Sequence, residues 1–479
     1  MRNRSDSSPP KEVTRIPLTT IIKQERKYQL ITPLYGGGVT PTEPDPITVV
    51  RATEVRGHLR FWWRAYHAGK YGDLASLKEA EDELWGAAAK KEDKQKKENE
   101  QNKEGQDNGQ DKKEKPRPTV QMEIKVDKPG NDIDAYSVIE RTNNYGELWY
   151  QVREKPPVPL YAVFPLQPQQ EELNTWNPDT DKEKQVRDGV FFTLTIFFTE
   201  EKKDEVEAAL WAWETFGGIG ARTRRGFGAL RLLFIDGKGN TDLPDLNTQT
   251  PEEWIKEKLK KLVAAGTYPS GMPRLTSTLQ FTVTSPMPNA KTIWYDLIKQ
   301  LRDFRQQRQG ADPRHPGRSI WPEPSEIRRF TDQSLPAHDK PPIPDPPIHK
   351  FPRAAFGLPI IFQFKNRDKY NPNNKESDPR NTVLRLDISE RLASPLILKP
   401  LACRNGKYVG LAVILDGTGV DENRLILKTQ DGAKKEDHVK YTFDSTESLV
   451  VGEDRSGSPI KIDSRTNALQ AFLKYLEGI

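Results

Sequence analysis

Alternating apolar and polar positions predict a mixture of helices and strands in the first half of the chain. Residues 53–69 and 203–216 each place large apolar side chains three and four residues apart, which is the spacing of one helical face. The order of these helices and the strands between them, β-α-β-β-α-β with one extra strand, is that of a ferredoxin-like module, and the predicted fold class is α+β. The predicted strands are 27–34, 119–126, 158–165, 190–199 and 229–234.

A second set of helices and strands follows a polar linker and a short helix at 252–263. A strand at 275–284 and an amphipathic helix at 292–308 open it, four further apolar runs predict strands, and an amphipathic helix at 463–478 closes it. We therefore predict two tandem ferredoxin-like, RRM-like domains. The predicted boundaries are 1–25 for a frayed N-terminus, 26–237 for the first domain, 238–271 for the linker with its short helix, and 272–479 for the second domain.

A lysine-rich segment at 90–115 interrupts the first domain. It contains no apolar residue, and its nine lysines stand against eight acidic residues, so the segment is nearly neutral. Such a composition cannot bury surface in a core and cannot act as a strong basic arm. We predict a disordered insertion in a loop.

Length, charge and cysteine content narrow the class of protein. The 479 residues exceed the size at which single cores stop growing, so two domains are expected. The formal net charge of +5 is a mild bias, so a nucleic-acid surface needs local clustering of charge. Cys403 is the one cysteine, which excludes an internal disulfide and a thiolate metal cluster. No apolar run is long enough to cross a membrane and the polar start lacks a secretory signal, so we expect a cytoplasmic protein.

The sequence GGIGARTRRGFGALR, at 217–231, clusters five glycines and four arginines without a carboxylate. Glycine lets backbone N–H groups approach a ligand closely, and arginine presents a planar set of donors that matches phosphate. The loop lacks the third glycine of a dinucleotide fingerprint and follows a helix instead of a strand, and the chain has no G-x-x-x-x-G-K-[ST] loop. A plain turn with solvent-exposed arginines is the alternative, but the absence of acids favours a polyanion site.

Three arginines form a basic stripe at i, i+4 and i+8 on the helix predicted at 53–69. Taken alone, they fit a solvated helix face equally well. In a ferredoxin-like module this helix and the turn after the second helix reach one side of the domain, so together they predict one basic groove. Tryptophans of both helices could stack on bases, although their helical spacing favours core packing. The arginines are Arg56, Arg60 and Arg64, and the tryptophans are Trp62, Trp63, Trp211 and Trp213.

Residues suited to catalysis are sparse. RNA cleavage without a metal commonly uses imidazole, and His58 and His67 flank the basic stripe. No lysine or tyrosine partner stands at a defined spacing, and no group of histidine, cysteine and carboxylate residues has metal-ligand spacing. The sequence therefore predicts no catalytic set, no metal and no other cofactor.

Seven short segments carry a resemblance to a known family. They are ITPLYGGG (31–38), VRGHLRFWWRA (55–65), ELWG (83–86), GGIGARTRRGFGAL (217–230), RSIWPEPSEIRR (318–329), FGLPIIF (356–362) and RLASPLILKP (391–400). The glycine-rich loop alone resembles the wider RAMP superfamily. The LRFWWRA and WPE-x-x-x-IR elements resemble the first RAMP subunit of the type III-B CRISPR effector, the Cmr complex. The resemblance extends over most of the chain, and the insertion at 90–115 is its main departure.

The resemblance implies a non-catalytic subunit with two ferredoxin-like RAMP domains. Such a subunit lies at the head of the complex, near the 3′ end of the guide RNA, and assists target RNA capture in antiviral defence. Its expected partners are the guide crRNA and target single-stranded RNA, together with other RAMP and backbone subunits of the Cmr complex, and no membrane. No base-reading device is evident, so recognition of the RNA backbone is expected.

The expected RNA contacts combine the loop with the helical stripe. Backbone N–H groups of the glycines are expected to meet phosphates, and the arginines are expected to neutralise them. Two alternatives stay open: a metal-independent RAMP endoribonuclease that uses His58 or His67, and a scaffold that binds only protein. The predicted RNA-binding residues are Arg56, Arg60, Arg64, Gly218, Gly220, Arg222, Arg224, Arg225 and Gly226.

Overall fold

The computed structural model describes residues 21–477, except for 39, 41, 46, 88–117, 144, 311–316, 337–348, 365–370, 372, 373, 390 and 431–435. The insertion predicted at 90–115 lies outside the described residues, as does most of the N-terminus predicted to be frayed. Residues 21–25 of that N-terminus instead belong to a strand that pairs along its length with a later strand. The fold mixes helices and strands, which confirms the α+β class.

The first half contains a five-stranded sheet whose neighbouring strands are antiparallel, in the order β2-β7-β1-β8-β9. The pairs β3-β6 and β4-β5 are separate two-stranded ribbons inserted between β2 and β7. The strands are β1 (Ile21–Leu30), β2 (Gln121–Lys128), β3 (Asn131–Asp134), β4 (Ser137–Thr142), β5 (Leu148–Arg153), β6 (Gln185–Asp188), β7 (Phe191–Thr199), β8 (Leu230–Ile235) and β9 (Lys238–Gly239). The helices are α1 (Ala52–His67), α2 (Leu74–Trp85), α3 (Gln170–Asn174), α4 (Lys203–Phe216) and α5 (Pro251–Leu262).

Helices α1 and α4 pack against each other and against strands of this sheet. Every second side chain of β7 is buried, as the period of a strand requires. At the centre, the ring of Tyr28 stacks on Phe192 with centroids 5.1 Å apart and meets Trp213 edge-on at 5.5 Å. The aromatic residues of the two helices therefore supply the core of the first half.

The strand predicted at 158–165 is wrong. This segment forms two short 3₁₀ turns, Leu160–Ala162 and Phe164–Leu166. Proline has no backbone N–H to donate to a sheet, and Pro157, Pro159 and Pro165 stand in or beside the segment. Val158, Ala162 and Val163 are instead buried as loop side chains, whereas Phe164 is 62% exposed.

The second half is built from several smaller sheets. Strands β10, β16 and β15 form a three-stranded antiparallel sheet in that order, and β13-β14-β17-β18 forms a separate four-stranded sheet. The strand predicted at 275–284 is shorter than expected, because only its last part pairs, as β10. The elements are β10 (Gln280–Val283), α6 (Ala290–Arg305), β11 (Arg308–Gln309), β12 (Arg318–Ser319), α7 (Glu323–Thr331), β13 (Ile360–Phe362), β14 (Thr382–Leu386), β15 (Leu396–Ala402), β16 (Tyr408–Ile414), β17 (Leu425–Thr429), β18 (Glu436–His438), β19 (Ser448–Glu453), β20 (Pro459–Asp463) and α8 (Ala468–Glu477).

The two halves share a hydrophobic core. Side chains of β15 and β16, among them Ile397, Leu411 and Val413, belong to the same buried cluster as the tryptophans of α1 and α4. Trp254 and Ile255 of α5, in the segment predicted to be a linker, belong to it as well. The three-stranded sheet of the second half is therefore packed directly against the first half.

A buried lysine joins the halves at the end of α4. Lys399, on β15, is fully buried and its Nζ donates to the carbonyl oxygens of Glu214 at 2.8 Å and Gly217 at 2.7 Å. The last carbonyl groups of a helix lack partners within the helix, so a donor from β15 satisfies them. Burial lowers the pKa of Lys399 to about 7. A neutral amine has two N–H donors, which match the two carbonyl acceptors.

We expect Lys399 to make the protein more stable as pH rises above 7. The folded-state pKa is about 7, whereas a lysine in the unfolded chain titrates near 10.4. Between these values the unfolded state binds one more proton, so the free energy of unfolding rises with pH, by up to about 1.4 kcal/mol per unit. Denaturant unfolding at pH 6, 8 and 9 should show this rise in the wild type and not in Lys399→Met. Parallel pH profiles of the two proteins would contradict it.

Candidate nucleic-acid interface

The glycine–arginine loop, defined as residues 217–231, lies against the first turn of α1 and the loop after β1. The Gly220 N–H donates to Glu54 Oε1 at 2.7 Å. The guanidinium of Arg51, just before α1, donates to the carbonyl oxygen of Gly37. Three segments that are distant in sequence therefore form one continuous surface.

Four residues of the glycine–arginine loop have left-handed backbone conformations. Gly220, Gly226 and Gly228 have φ of 82°, 81° and 58°, and Arg222 has φ of 57°. The constraint is tightest at Gly228, where an added Cβ would lie 2.0 Å from the carbonyl oxygen of Ile219. Only glycine fits such a position without strain. The glycines thus fix the path of the loop and the direction in which its arginines leave it.

Arg225 is a partly buried arginine of the loop. Its Nη1 donates to the Leu396 carbonyl oxygen at 3.1 Å, so the loop is tied to β15. Burial, and next the nearby cation of Arg305, lower the pKa of Arg225 to about 9. Arg305, at the end of α6, donates to the Tyr161 hydroxyl at 2.9 Å, while its buried Nε has no partner within the described structure. Two guanidinium groups therefore lie close together in a poorly solvated place.

Arg222 and Arg224 extend this group toward the surface. Arg222 lies over the ring of Tyr35 at 5.9 Å, and its buried Nε has no partner among the described residues. Arg224 lies over Phe61 at 5.9 Å and donates to the Ser394 carbonyl oxygen. Burial lowers the pKa of both arginines. We define the arginine cluster as Arg222, Arg224, Arg225 and Arg305.

The arginine cluster contains four cations and no ion pair. In the described part of the chain, no carboxylate forms a salt bridge with any member. Bringing like charges out of water is unfavourable unless an opposite charge compensates them. The arrangement therefore has the electrostatics of an anion site. Arginine also has the donor geometry that matches phosphate.

The basic stripe on α1 is divided between two environments. Arg60 Nε donates to Glu81 Oε1 at 2.8 Å, and Arg64 also pairs with Glu81, which α2 supplies. Arg60 further contacts Asp82 at 3.2 Å. Arg56 makes no such pair, and its buried Nε has no partner among the described residues. Of the three predicted positions, Arg60 and Arg64 are thus neutralised within the protein, and Arg56 is the one whose charge is left available.

We expect Arg60→Ala to weaken the fold and leave RNA binding unchanged. Glu81 is 3% exposed and would lose one of its two arginine partners, so that only Arg64 remains paired with it. Breaking a fully buried pair costs about 3–5 kcal/mol, and the partial exposure of Arg60 reduces this to roughly 2–3 kcal/mol. Denaturant unfolding checks the loss. Adding Glu81→Gln should recover part of it, and a wild-type stability for Arg60→Ala would contradict the pairing.

The predicted glycine contacts differ from those in the structure. The Gly220 N–H is bound by Glu54, and the Gly226 N–H donates to the Thr223 carbonyl oxygen at 2.9 Å. Gly218 is buried, with the Gly228 carbonyl oxygen 2.8 Å from where a Cβ would lie. These glycines serve close packing within the loop, so the amides of Gly220 and Gly226 are already occupied. The sequence analysis missed Glu54, an acid in the first turn of α1, which accepts the hydrogen bond that was expected to go from Gly220 to a phosphate.

The tryptophans of α1 and α4 are core residues, as their spacing favours. Trp63 and Trp213 are fully buried, and Trp62 and Trp211 are 4% and 7% exposed. The Trp213 indole N–H donates to the Gly218 carbonyl oxygen at 3.0 Å, which fixes the start of the loop. None of these four rings is available to stack on a base in this conformation.

His58 and His67 lie on opposite sides of α1. Nine residues separate them, which is two and a half turns and about 13 Å along the axis. Burial lowers the pKa of each to about 4, so both are neutral near pH 7. His67 lies 3.5 Å from Glu205 and packs against Trp63. The geometry does not form an acid–base pair from these two residues.

Neither a metal-binding group of side chains nor a membrane-spanning helix occurs among the described residues. No group of three or more histidine, cysteine, aspartate or glutamate residues in the described ranges is placed to hold a metal ion. Across the same part of the chain, every helix is too short or too polar to span a bilayer.

The first half of the chain is similar in sequence to RAMP proteins. Residues 27–231 match the sequence model of the RAMP superfamily, and this stretch runs from β1 to the end of the glycine–arginine loop. A curated relative, the CRISPR system Cmr subunit Cmr1-2 of Pyrococcus furiosus, is 25% identical over 211 residues, which is 43% of this chain and 93% of that protein. The resemblance to RAMP proteins and to the first Cmr subunit is thus confirmed, and the matched region is homologous to this Cmr1.

Solved structures of Cmr proteins are also similar over most of the chain. The crystal structure of Cmr1 from Pyrococcus furiosus, in its apo form, covers 84% of this chain and 91% of its own, with 17% identity and a TM-score of 0.43. A chain of the type III-B Cmr-beta complex bound to cognate target RNA covers 83% and 95%, with 13% identity and a TM-score of 0.39.

Proposed function

We propose that this chain is a non-catalytic, RNA-binding subunit of a type III-B CRISPR ribonucleoprotein, the Cmr complex. Its place is the head of the complex near the 3′ end of the guide RNA, where it assists capture of target RNA. The observation that carries the RNA-binding role is the arginine cluster, four guanidinium groups that form no salt bridge with a carboxylate among the described residues, held beside a glycine-rich surface. Homology to a Cmr1 subunit supports the choice of complex.

We further propose two ferredoxin-like RAMP modules. In the first half, β2-β7-β1-β8 places the second, third, first and fourth strands of the module side by side, with α1 and α4 as its helices. In the second half, β15-β16-β10 repeats the order second, third, first, with α6 and α8 packed against it. The arginine cluster lies where the two modules meet.

The chemistry of the site fits a phosphate backbone better than bases. The members of the cluster are arginines, and the neighbouring rings of Tyr35 and Phe61 lie under guanidinium groups. Contacts of this kind position a nucleic acid without reading its sequence. The subunit therefore holds guide or target RNA of any sequence, and the cleavage chemistry belongs to other subunits.

The test is the binding of fluorescent single-stranded RNA to the full chain and to the assembled complex, across a series of salt concentrations. Affinity should fall linearly with salt on a log-log scale and be similar for unrelated sequences. In EDTA the chain alone should leave the RNA intact. Absence of RNA binding in both forms would replace the proposal with a protein-binding scaffold, and cleavage in EDTA would replace it with an endoribonuclease.

A further inference from the structure

The ribbon β4-β5 presents large apolar side chains to solvent. Its strands pair from Ser137 opposite Arg153 to Thr142 opposite Leu148, and it joins no larger sheet. Near its tip, Tyr145 is 91% exposed, Leu148 is 60% exposed, and the Trp149 ring, in the strand itself, is 46% exposed. Elsewhere the tryptophans of this protein are largely core residues, so an exposed tryptophan on a projecting ribbon indicates a ligand.

The two faces of this ribbon have different chemistry. On the inner face, Val138 and Val152 pack against a second buried cluster, to which both halves of the chain contribute. The outer face carries Trp149 directly opposite Arg141, and Arg153 lies on the same face. No salt bridge within the described ranges includes either arginine.

The acids of the ribbon point elsewhere. Glu140 lies on the inner face, opposite Tyr150 and 3.5 Å from its hydroxyl. At the tip, the carboxylate of Glu147 is held by Asn143 Nδ2 at 2.7 Å. The paired strands therefore place an aromatic ring and two cations on one face, without a carboxylate. Rings interleaved with cations are the arrangement that proteins use to hold single-stranded nucleic acid.

The ribbon is linked to the arginine cluster through its inner face and through the segment that follows it. The inner face of the ribbon belongs to the same buried cluster as Tyr35, whose ring lies under Arg222. The turn that follows the ribbon carries Tyr161, which binds Arg305 of the cluster.

We propose that the ribbon β4-β5 is a second contact for single-stranded RNA, in which a base stacks on Trp149 and Arg141 and Arg153 contact the flanking phosphates. This inference rests on the proposed RNA-binding function. The occupant is RNA and not a protein, because one ring between two unpaired arginines complements a phosphate backbone with splayed bases and is too small and too charged for an apolar protein interface.

The test uses single-stranded RNA that contains 2-aminopurine, whose fluorescence falls when it stacks on a ring. Trp149→Ala should weaken binding roughly 5- to 50-fold, remove the quenching at one position of the RNA, and leave the salt slope unchanged. Trp149→Phe should retain most of the quenching. Replacing Arg141 and Arg153 by glutamine should make the salt slope less negative by roughly 1.4. Phe234→Ala is the matched control, because Phe234 is 43% exposed and lies on β8.

The outcomes separate this inference from the proposed function. If substitutions in the arginine cluster weaken binding and Trp149→Ala does not, the ribbon is not an RNA contact and the proposed function stands. If Trp149→Ala abolishes quenching while the cluster variants bind normally, the ribbon holds RNA and the cluster does not. Thermal unfolding of each ribbon variant should match the wild type, since the substituted side chains face solvent. Loss of a protein partner with unchanged RNA binding would overturn the inference.

Discussion

Replacing Arg222 and Arg224 together by glutamine is expected to lower the affinity for single-stranded RNA roughly a hundredfold at about 0.1 M salt. Hydrogen bonds to charged groups contribute about 1.5–3 kcal/mol each, and two such contacts are lost. The loss should be similar for all RNA sequences, because phosphates carry no base information. Each lost phosphate contact also removes about 0.7 from the slope of log K against log salt, so the slope should become less negative by roughly 1.4.

Glutamine is chosen to preserve the loop. It places no more strain than arginine on the left-handed backbone of residue 222, and at residue 224 it keeps a side-chain N–H donor while removing the charge. The matched control removes two positive charges elsewhere, at Arg404 and Arg424, which are 48% and 44% exposed. Salt titrations by fluorescence anisotropy give both quantities. An unchanged affinity and slope in the free chain and in the complex would mean that the arginines are structural.

Gly228→Ala is expected to destabilise the protein by more than about 4 kcal/mol, enough to prevent soluble expression of a marginally stable chain. The new Cβ would lie 2.0 Å from the Ile219 carbonyl oxygen at a φ of 58°. Gly228 also donates its N–H to the Pro33 carbonyl oxygen and accepts from the Ile219 N–H. The residue cannot move without breaking the contact between the glycine–arginine loop and the end of β1.

The control for this variant is expected to change the free energy of unfolding in the opposite direction. Gly57 lies inside α1 with nothing within 4 Å of an added Cβ, so Gly57→Ala should stabilise the protein by about 0.5–1 kcal/mol. Urea unfolding of both variants measures the difference. Near-wild-type stability of Gly228→Ala would show that the loop has another conformation of similar energy.

Local periodicity predicted the elements well where the chain is strongly amphipathic. The helix predicted at 203–216 has the bounds of α4, and the helix at 53–69 differs from α1 by one and two residues at its ends. The failures come from proline and from long-range packing. Composition favoured a strand at 158–165, but prolines removed its donors. Nothing local distinguishes the strands of the separate four-stranded sheet from those of the three-stranded one.

Some features of the candidate site are visible in the sequence, and others depend on how the helices pack. The glycine–arginine loop stands out in the sequence because glycine and arginine without acids are unusual together. The neutralisation of Arg60 and Arg64 depends on Glu81, which approaches only when α2 packs on α1. Arg305 could not be assigned to the site, since it joins Arg225 only after α6 packs beside the loop. The sequence signal for Arg305 was the arginine-rich end of the helix that became α6.

Because hydrogen bonds join the glycine–arginine loop to β15 and the residues before it, a fragment of the first half alone would lack part of the site. The sequence match to RAMP proteins ends at residue 231, and a fragment cut near residue 237 would keep every matched residue. It would nevertheless lose Ser394 and Leu396, whose carbonyl groups anchor two arginines, and Lys399, which closes the end of α4. The stretch that matches RAMP proteins is therefore shorter than the part of the chain that is needed to hold the site together. The surface proposed to bind RNA is assembled jointly: the first half supplies Arg222, Arg224 and Arg225, and the second half supplies Arg305 together with the carbonyl groups that hold Arg224 and Arg225 in place.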